Sequence, residues 1–244
     1  MKVELYDGAF AVGTQSDLFR IIATTGTYES EVSQICVRYL PANRDVVDIG
    51  ANIGLYSVMF ARKMQGRRVL AIETTPGALA RLRRNIAMNG VEQKVIVHAG
   101  VASDHDGDAQ INLVPGREEY SSMGGLLHPA IDGAAHESLR VSSATLDNLV
   151  SVHGLDPGFI KMDVEGMEHV VLKGMSHVLL HHRPVIVTEL SDPLLRGNGS
   201  SAQDVIRFIQ GFGYSVLDAH NHEVPAGLRT SGEILCLPPA MSPA

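Results

Sequence analysis

The residues best suited to chemistry begin with a glycine turn, Asp48-Ile49-Gly50-Ala51-Asn52-Ile53-Gly54. Gly50 lets the chain turn without a Cβ, so backbone amides can approach a ligand, and Gly54 allows close helix-sheet contact. A dinucleotide site would show G-x-G-x-x-G, whereas here Asn52 stands where a middle glycine might be and Asp48 precedes the turn. A carboxylate at this point would repel a pyrophosphate but would suit a sulfonium or an α-ammonium group. The turn therefore favours S-adenosylmethionine over NAD.

A second group of candidate contacts follows the next two strand-like runs. Glu73 ends the run 68–72, where a carboxylate can accept hydrogen bonds from both ribose hydroxyls of a nucleoside, and Thr74 lies beside it. The backbone of Val101 or Ala102, or the side chain of Asp104, follows the run 95–99 and is placed to hold the adenine edge. The sequence does not choose among these three.

A cluster of acids follows the fourth strand-like run. Asp163, Glu165 and Glu168 lie within six positions, and Glu189 ends the fifth run. Like charges this close raise one another's pKa unless a cation shares the site. That cation could be Lys161, the sulfonium, or a hard metal such as Mg²⁺ held by Asp163 and Glu189. Alternatively, Glu165 and Glu168 simply complement a helix dipole.

Asp163 is the main catalytic candidate. We expect it to lie between a methyl donor and an acceptor hydroxyl, where it could orient or deprotonate the nucleophile, or hold a metal that does so. His128 is a second candidate base, because it follows a polar tip at 121–125 that could fold over the site.

These residues need a framework of alternating strands and helices. The apolar patterning predicts such a framework from residue 45 onward, and this alternation implies a parallel sheet with helices on both faces. The predicted strands are 45–49, 68–72, 95–99, 159–162, 185–190, 214–217 and 233–237, and the predicted helices are 54–64, 76–89, 166–181 and one ending at Gly211. No helix is predicted between the last two strands, so they should pair antiparallel. A seven-stranded, mostly parallel sheet with its last strand reversed is the α/β, Rossmann-like architecture of class I methyltransferases.

The whole chain, 1–244, is expected to form a single domain. Residues 1–40 are predicted to hold a strand pair and a covering helix, and 41–237 the Rossmann-like core. The core carries a substrate-side insertion at about 104–158, and 238–244 form a frayed tail.

Composition excludes several other classes. The net charge is -7, with 27 acidic and 20 basic residues, so binding to nucleic acid or an anionic membrane is not expected. Two cysteines are too few for a disulfide framework, and no apolar run suits a signal peptide or membrane span. We expect a cytoplasmic protein; its oligomeric state has no signal in the sequence.

Three segments resemble the motifs of FkbM-family methyltransferases. They are Gly26-Thr27-Tyr28-Glu29, the turn from Val47 to Gly54, and Ile160-Lys161-Met162-Asp163-Val164-Glu165-Gly166-Met167-Glu168. The resemblance implies methyl transfer from S-adenosylmethionine, usually to a hydroxyl of a sugar or polyketide-type natural product, as in secondary metabolite biosynthesis. It also implies that Glu29 binds the methionine ammonium group.

Two other functions stay open at this point. One is an N-methyltransferase acting on a small amine, and the other is a binding-only protein that retains the donor site. In each case the partner is a small molecule, which residues 104–158 and the N-terminal segment should recognise.

Overall fold

A computed structural model describes residues 1–113, 136–220 and 231–239. The strands are β1 (Lys2–Val3), β2 (Gly8–Ala9), β3 (Asp45–Ile49), β4 (Val69–Glu73), β5 (Val95–Ala99), β6 (Val101–Ala102), β7 (Gly107–Leu113), β8 (Glu137–Ala144), β9 (Pro157–Met162), β10 (Val185–Ser191), β11 (Ser215–Asp218) and β12 (Ser231–Leu237). The helices are α1 (Asp17–Thr25), α2 (Ser30–Arg38), α3 (Leu55–Lys63), α4 (Pro76–Met88), α5 (Leu146–His153), α6 (Glu168–Lys173), α7 (Asp192–Gly197) and α8 (Ala202–Gly211).

The central sheet has seven strands in the order β11-β12-β10-β9-β3-β4-β5. The pairs β3–β4, β4–β5, β3–β9 and β9–β10 are parallel, whereas β12 runs antiparallel to both β10 and β11. This arrangement confirms the predicted fold class, including the reversed last strand.

The central strands are buried on both faces because helices cover each side of the sheet. All five residues of β3 and of β4 are buried, as expected for parallel strands. Successive side chains face opposite ways, so Val46 packs with Met59 and Phe60 in one core, and Val47 packs with Val171 in the other.

The N-terminal segment forms the predicted strand pair and helix, and one further helix. β1 and β2 pair antiparallel, and α2 occupies the predicted position. The additional helix, α1, begins at Ser16, whose side chain accepts a hydrogen bond from the amide of Phe19, and it ends at Gly26. Asn85 on α4 accepts a hydrogen bond from the amide of Ala11, which ties this segment to the core.

The region predicted as an insertion contains β7, β8 and α5, and these two strands form a second sheet with β6, which lies just before the region, in the order β6-β8-β7. This sheet was not predicted. The polar tip at 121–125 and His128 lie outside the described residues, as do residues 221–230 and the end of the predicted tail.

The prediction of one continuous helix over 166–181 was wrong. The helix α6 ends at Lys173, and a separate π-helical turn covers Val178–His182. The physical reason lies at Gly174, where a Cβ would come 1.9 Å from the carbonyl oxygen of Ser103, so the chain changes course at a tight contact. In the described part of the chain, no helix is both long and apolar enough to cross a membrane.

Candidate active site

A cavity opens at the carboxyl ends of the central strands, beside the point where β3 has its neighbours β4 and β9 on opposite sides. Open α/β sheets bind ligands at such a switch point. Its walls include residues 49–53, 73–75, 100–102 and 163–165, together with Leu18, Tyr28, Glu29, Tyr56 and Lys161. Most of the predicted site residues therefore come together here.

The glycine turn forms the floor of the cavity. Gly50 has φ +78°, and Asn52 has φ +49°, a left-handed conformation that is uncommon for a residue with a side chain. The amides of Gly50 and Ala51 both donate to the carbonyl of Ile72, at 3.0 and 2.9 Å, which holds the turn against the end of β4.

Glu73 is fixed in place by the backbone around it. Its Oε2 accepts a hydrogen bond from the amide of Asn52 at 2.8 Å. Its Oε1 accepts hydrogen bonds from the amides of Thr74 and Thr75, each at 2.8 Å, and from the Thr75 hydroxyl at 2.9 Å. The side chain is thus oriented before a ligand arrives, and both Glu73 and Thr74 line the cavity.

Asp48 does not line the cavity, so the expected direct contact with a cationic ligand needs correction. The side chain is fully buried, and its Oδ2 accepts a hydrogen bond from the Ser57 hydroxyl at 2.5 Å. Burial raises the pKa of Asp48, while nearby Lys161 and the Ser57 hydrogen bond lower it. Asp48 lies on the face of β3 that packs against α3, and its hydrogen bond with Ser57 links the strand before the turn to the helix after it.

Of the three candidates for the adenine edge that follow β5, two line the cavity. Val101 and Ala102 line it, together with Gly100. Asp104 is not among the lining residues; its carboxylate lies 2.8 Å from Nδ1 of His105 instead. The position predicted for an adenine edge is therefore bordered by the backbone at 100–102.

Lys161 and Asp163 form an ion pair at the end of β9. Nζ of Lys161 lies 3.1 Å from Oδ2 of Asp163, with side chains 8% and 30% exposed respectively. Burial alone would lower the pKa of Lys161, but Asp163, Glu29 and Asp48 outweigh it and raise that pKa. The ammonium group stays charged, and its hydrogen-bonded carboxylate partner is the catalytic candidate, Asp163.

The remaining acids have different surroundings. Glu165 lines the cavity with φ +51°, and burial, together with Asp163, Glu189 and Glu168, raises its pKa to about 8. Glu168 is buried in the first turn of α6, and its Oε1 accepts a hydrogen bond from the amide of Gly166 at 3.2 Å. Only Glu165 of these two therefore faces the cavity.

Asp163 and Glu189 share a second, smaller cavity between α2 and the ends of β9, β10 and β12. Glu29, Lys161, Thr188 and Glu233 also line it. Burial, Asp163 and Glu233 raise the pKa of Glu189. Within the described ranges, no group of three or more His, Cys, Asp or Glu side chains is arranged to hold a metal ion, so the predicted Mg²⁺ site has no support there.

Glu29 lies at the boundary of both cavities. It precedes α2 with φ +43°, and its Oε2 accepts a hydrogen bond from the Tyr56 hydroxyl at 2.8 Å. The position is compatible with the contact to a methionine ammonium group that the motif implies.

The family model described as the methyltransferase FkbM domain matches residues 48–216, more than half of the chain. The chain belongs to this family. The matched region contains the glycine turn, Glu73 and Asp163, and the family is one of S-adenosylmethionine-dependent methyltransferases.

Individual relatives of this FkbM-family chain differ in how much they share with it. A hexuronic acid methyltransferase, AglP, of Haloferax volcanii is 27% identical over 191 residues, which are 76% of this chain and 72% of the relative. A tRNA wybutosine-synthesizing protein 2 homolog of Danio rerio is 30% identical over 127 residues, 45% of this chain and 31% of the relative. The chain thus spans less than a third of some curated relatives.

A solved structure shows the same fold. The crystal structure of methyltransferase FkbM from Methylobacillus flagellatus KT superposes with a TM-score of 0.51 at 20% sequence identity, covering 80% of this chain and 43% of the other.

Several residues of the FkbM-family site were not predicted from the sequence. Leu18 and Ile21 of α1 line the large cavity, and so does Tyr56 in the first turn of α3. Tyr56 follows Gly54 by two positions, which is the one sequence signal that could have placed it near the turn. α1 was not predicted at all, so its contribution could not be found.

Proposed function

We propose that this methyltransferase transfers a methyl group from S-adenosylmethionine to a hydroxyl group of a small sugar or polyketide-type molecule. The main observation behind the proposal is the cavity at the switch point. It is lined both by the oriented carboxylate of Glu73 and by the Lys161–Asp163 pair.

The residues around the cavity are suited to bind three parts of S-adenosylmethionine: the ribose, the adenine ring and the methionine ammonium group. Glu73 Oε2 accepts one hydrogen bond from Asn52 and keeps a lone pair for a ribose hydroxyl. Backbone at Val101 and Ala102 borders the place for the adenine ring, and Glu29 is available to the methionine ammonium group. Gly50 has no side chain and adopts a left-handed conformation in the wall of this cavity.

The donor supplies an electrophilic methyl group, so the protein has to align the acceptor and manage one proton. Asp163 borders both cavities, and its carboxylate is held by Lys161. From there it can accept a hydrogen bond from an acceptor hydroxyl and take its proton as the new bond forms. Glu165 lines the same wall of the large cavity.

The preference for a hydroxyl of a sugar rests on a relative. The chain resembles, at 27% identity, a protein named a hexuronic acid methyltransferase over 72% of that protein's length. The second candidate, methylation of a small amine, is favoured by the acids Glu189 and Glu233 beside Asp163, which would suit a cationic acceptor.

Binding and transfer can be tested separately. Calorimetry with S-adenosylmethionine, S-adenosylhomocysteine and NAD should show binding of the first two and none of NAD. Binding of NAD alone would overturn the proposal.

Methyl transfer is then followed with a labelled donor and two matched sets of acceptors, free hexuronic acids and hexosamines, with and without Mg²⁺ or chelator. Mass spectrometry locates the label on oxygen or nitrogen. Labelling on nitrogen alone would select the amine alternative, and donor binding without labelling of any acceptor tried would favour the binding-only protein. We expect Asp163→Ala to bind the donor within about threefold of the wild type and to lose turnover by about 10²–10⁴-fold.

A further inference from the structure

Tyr56 touches two of the groups that line the donor cavity. Its hydroxyl donates a hydrogen bond to Glu29 Oε2 at 2.8 Å, and Nζ of Lys161 lies 4.8 Å from the centroid of its ring. Lys161 in turn pairs with Asp163 at 3.1 Å. One side chain on α3 therefore connects the N-terminal segment with the end of β9.

Glu29 stands at the start of α2 without capping that helix. Its φ is +43°, and its side chain makes no hydrogen bond to the helix amides. The N-cap side chains of Ser16, Thr145 and Ser201, by contrast, accept hydrogen bonds from amides of their helices. The carboxylate of Glu29 is therefore not engaged by the helix, and it accepts the hydrogen bond of Tyr56 instead.

Tyr56 is held firmly enough to orient another group. The residue is 5% exposed, its ring packs edge-on against Tyr6 at 5.2 Å, and it packs at a tilt against Phe60 at 5.8 Å. Burial, with Glu29 nearby, raises the pKa of the hydroxyl well above its ordinary value. Across the neutral pH range the hydroxyl therefore keeps its proton and serves as a hydrogen-bond donor.

We infer that Tyr56 is a positioning residue of the donor site, whose hydroxyl holds the Glu29 carboxylate in the orientation that receives the ammonium group of S-adenosylmethionine. Tyr56 acts through Glu29 and touches no reacting atom. The inference rests on the proposed function, since it takes the large cavity as the donor site.

The test is a double-mutant cycle read by calorimetry with S-adenosylmethionine as the probe. The wild type, Tyr56→Phe, Glu29→Ala and the double variant are compared, because coupled residues give non-additive effects. Tyr56→Phe should weaken binding by about fivefold, the value of one typical hydrogen bond. In the Glu29→Ala background the same change should alter binding by less than about twofold, since the hydroxyl has lost its partner.

Tyr214→Phe is the matched control for losing a buried tyrosine hydroxyl. Tyr214 is 4% exposed, it lies outside the cavity, and its hydroxyl has no hydrogen-bond partner among the described residues. It should bind the donor as the wild type does. Melting temperatures of all variants show whether each is folded.

Unchanged binding by Tyr56→Phe would overturn the inference, and so would an equal loss with and without Glu29. Either result leaves the proposed function intact, provided that the wild type binds S-adenosylmethionine. A wild type that does not bind the donor would overturn both.

Discussion

The backbone of Gly50 lies directly against that of Asp163, so that a Cβ on Gly50 would come 1.8 Å from the Asp163 carbonyl oxygen. The amide of Asp163 also donates to the carbonyl of Ile49 at 3.0 Å. The glycine turn and the catalytic candidate are therefore joined through the main chain, at the ends of two adjacent parallel strands. A displacement of the main chain at one of these positions must therefore move the other.

Gly50→Ala should separate the turn from the Asp163 segment. We expect a loss of about 3 kcal/mol in the free energy of unfolding, since backbone atoms cannot move aside as a side chain can. Donor binding should be lost as well. Urea denaturation and calorimetry with S-adenosylmethionine measure the two effects.

The control for this change is Gly66→Ala, where φ is +66° but nothing lies within 4 Å of the added Cβ. It should lose about 1 kcal/mol, from backbone strain alone, and bind the donor normally. Equal losses at the two glycines would contradict the close approach at Gly50.

Glu73→Gln should weaken both the turn and the donor site. The amide group of glutamine cannot accept all the hydrogen bonds that Asn52, Thr74 and Thr75 now donate to the carboxylate. We expect about 2 kcal/mol of destabilisation and a 10- to 100-fold loss of S-adenosylmethionine affinity. Glu92→Gln, at an exposed position, is the control, and unchanged affinity in Glu73→Gln would remove this carboxylate from the donor site.

Asp163→Asn should destabilise the fold as well as stop turnover. The change leaves the ammonium of Lys161, 8% exposed, without its carboxylate, at an expected cost of about 2 kcal/mol in urea denaturation. Adding Lys161→Met should recover part of this loss, up to about 1 kcal/mol, because it removes the unpaired ammonium but also the positive charge near Glu29 and Asp48, while turnover stays lost.

The exposed pair Arg140–Asp108 provides the comparison for Asp163. Its side chains are 79% and 56% exposed, so Asp108→Asn should change stability by less than about 1 kcal/mol. A double variant no more stable than Asp163→Asn alone would contradict the explanation by an unpaired charge.

Glu165 should make stability fall as the pH rises. Its pKa is raised from 4.5 to about 8 by burial and by Asp163, Glu189 and Glu168. Because the folded state holds the proton more tightly than the unfolded chain, the stabilising contribution is complete below about pH 4.5 and is lost towards pH 8.

Glu165→Gln removes this contribution to the pH dependence. Its melting temperature should match the wild type near pH 5 and exceed it at pH 8 to 9, by an amount equivalent to about 1–2 kcal/mol. Glu137→Gln, an exposed control, should show a difference that does not vary with pH. A constant offset for Glu165→Gln would contradict the raised pKa.

The sheet and the glycine turn could be predicted because their signals are local. β3 and β4 are short runs of buried residues, and the turn at Gly50 demands a residue without a side chain. The position of Asp163 followed from the same logic, since carboxyl ends of parallel strands share one edge. These features depend little on the rest of the chain.

The misplacement of Asp48 has a different origin. Spacing places it near the end of a strand but does not say which element packs on each face. The pleat puts Asp48 on the same face as Val46, against α3 and the hydroxyl of Ser57. Likewise, the break after Lys173 depends on the close approach of Gly174 to Ser103, a contact with a distant part of the sequence.

Three left-handed residues border the donor cavity: Glu29, Asn52 and Glu165. They are three of the five non-glycine residues with positive φ in the described part of the chain. Glycine at each of these positions would remove the backbone strain, because glycine adopts a positive φ without a steric cost. Selection for heat resistance alone should therefore replace them with glycine, whereas selection for catalysis should keep them. The frequency of glycine at each position, measured in a variant library under each selection, would distinguish residues kept for stability from residues kept for ligand binding.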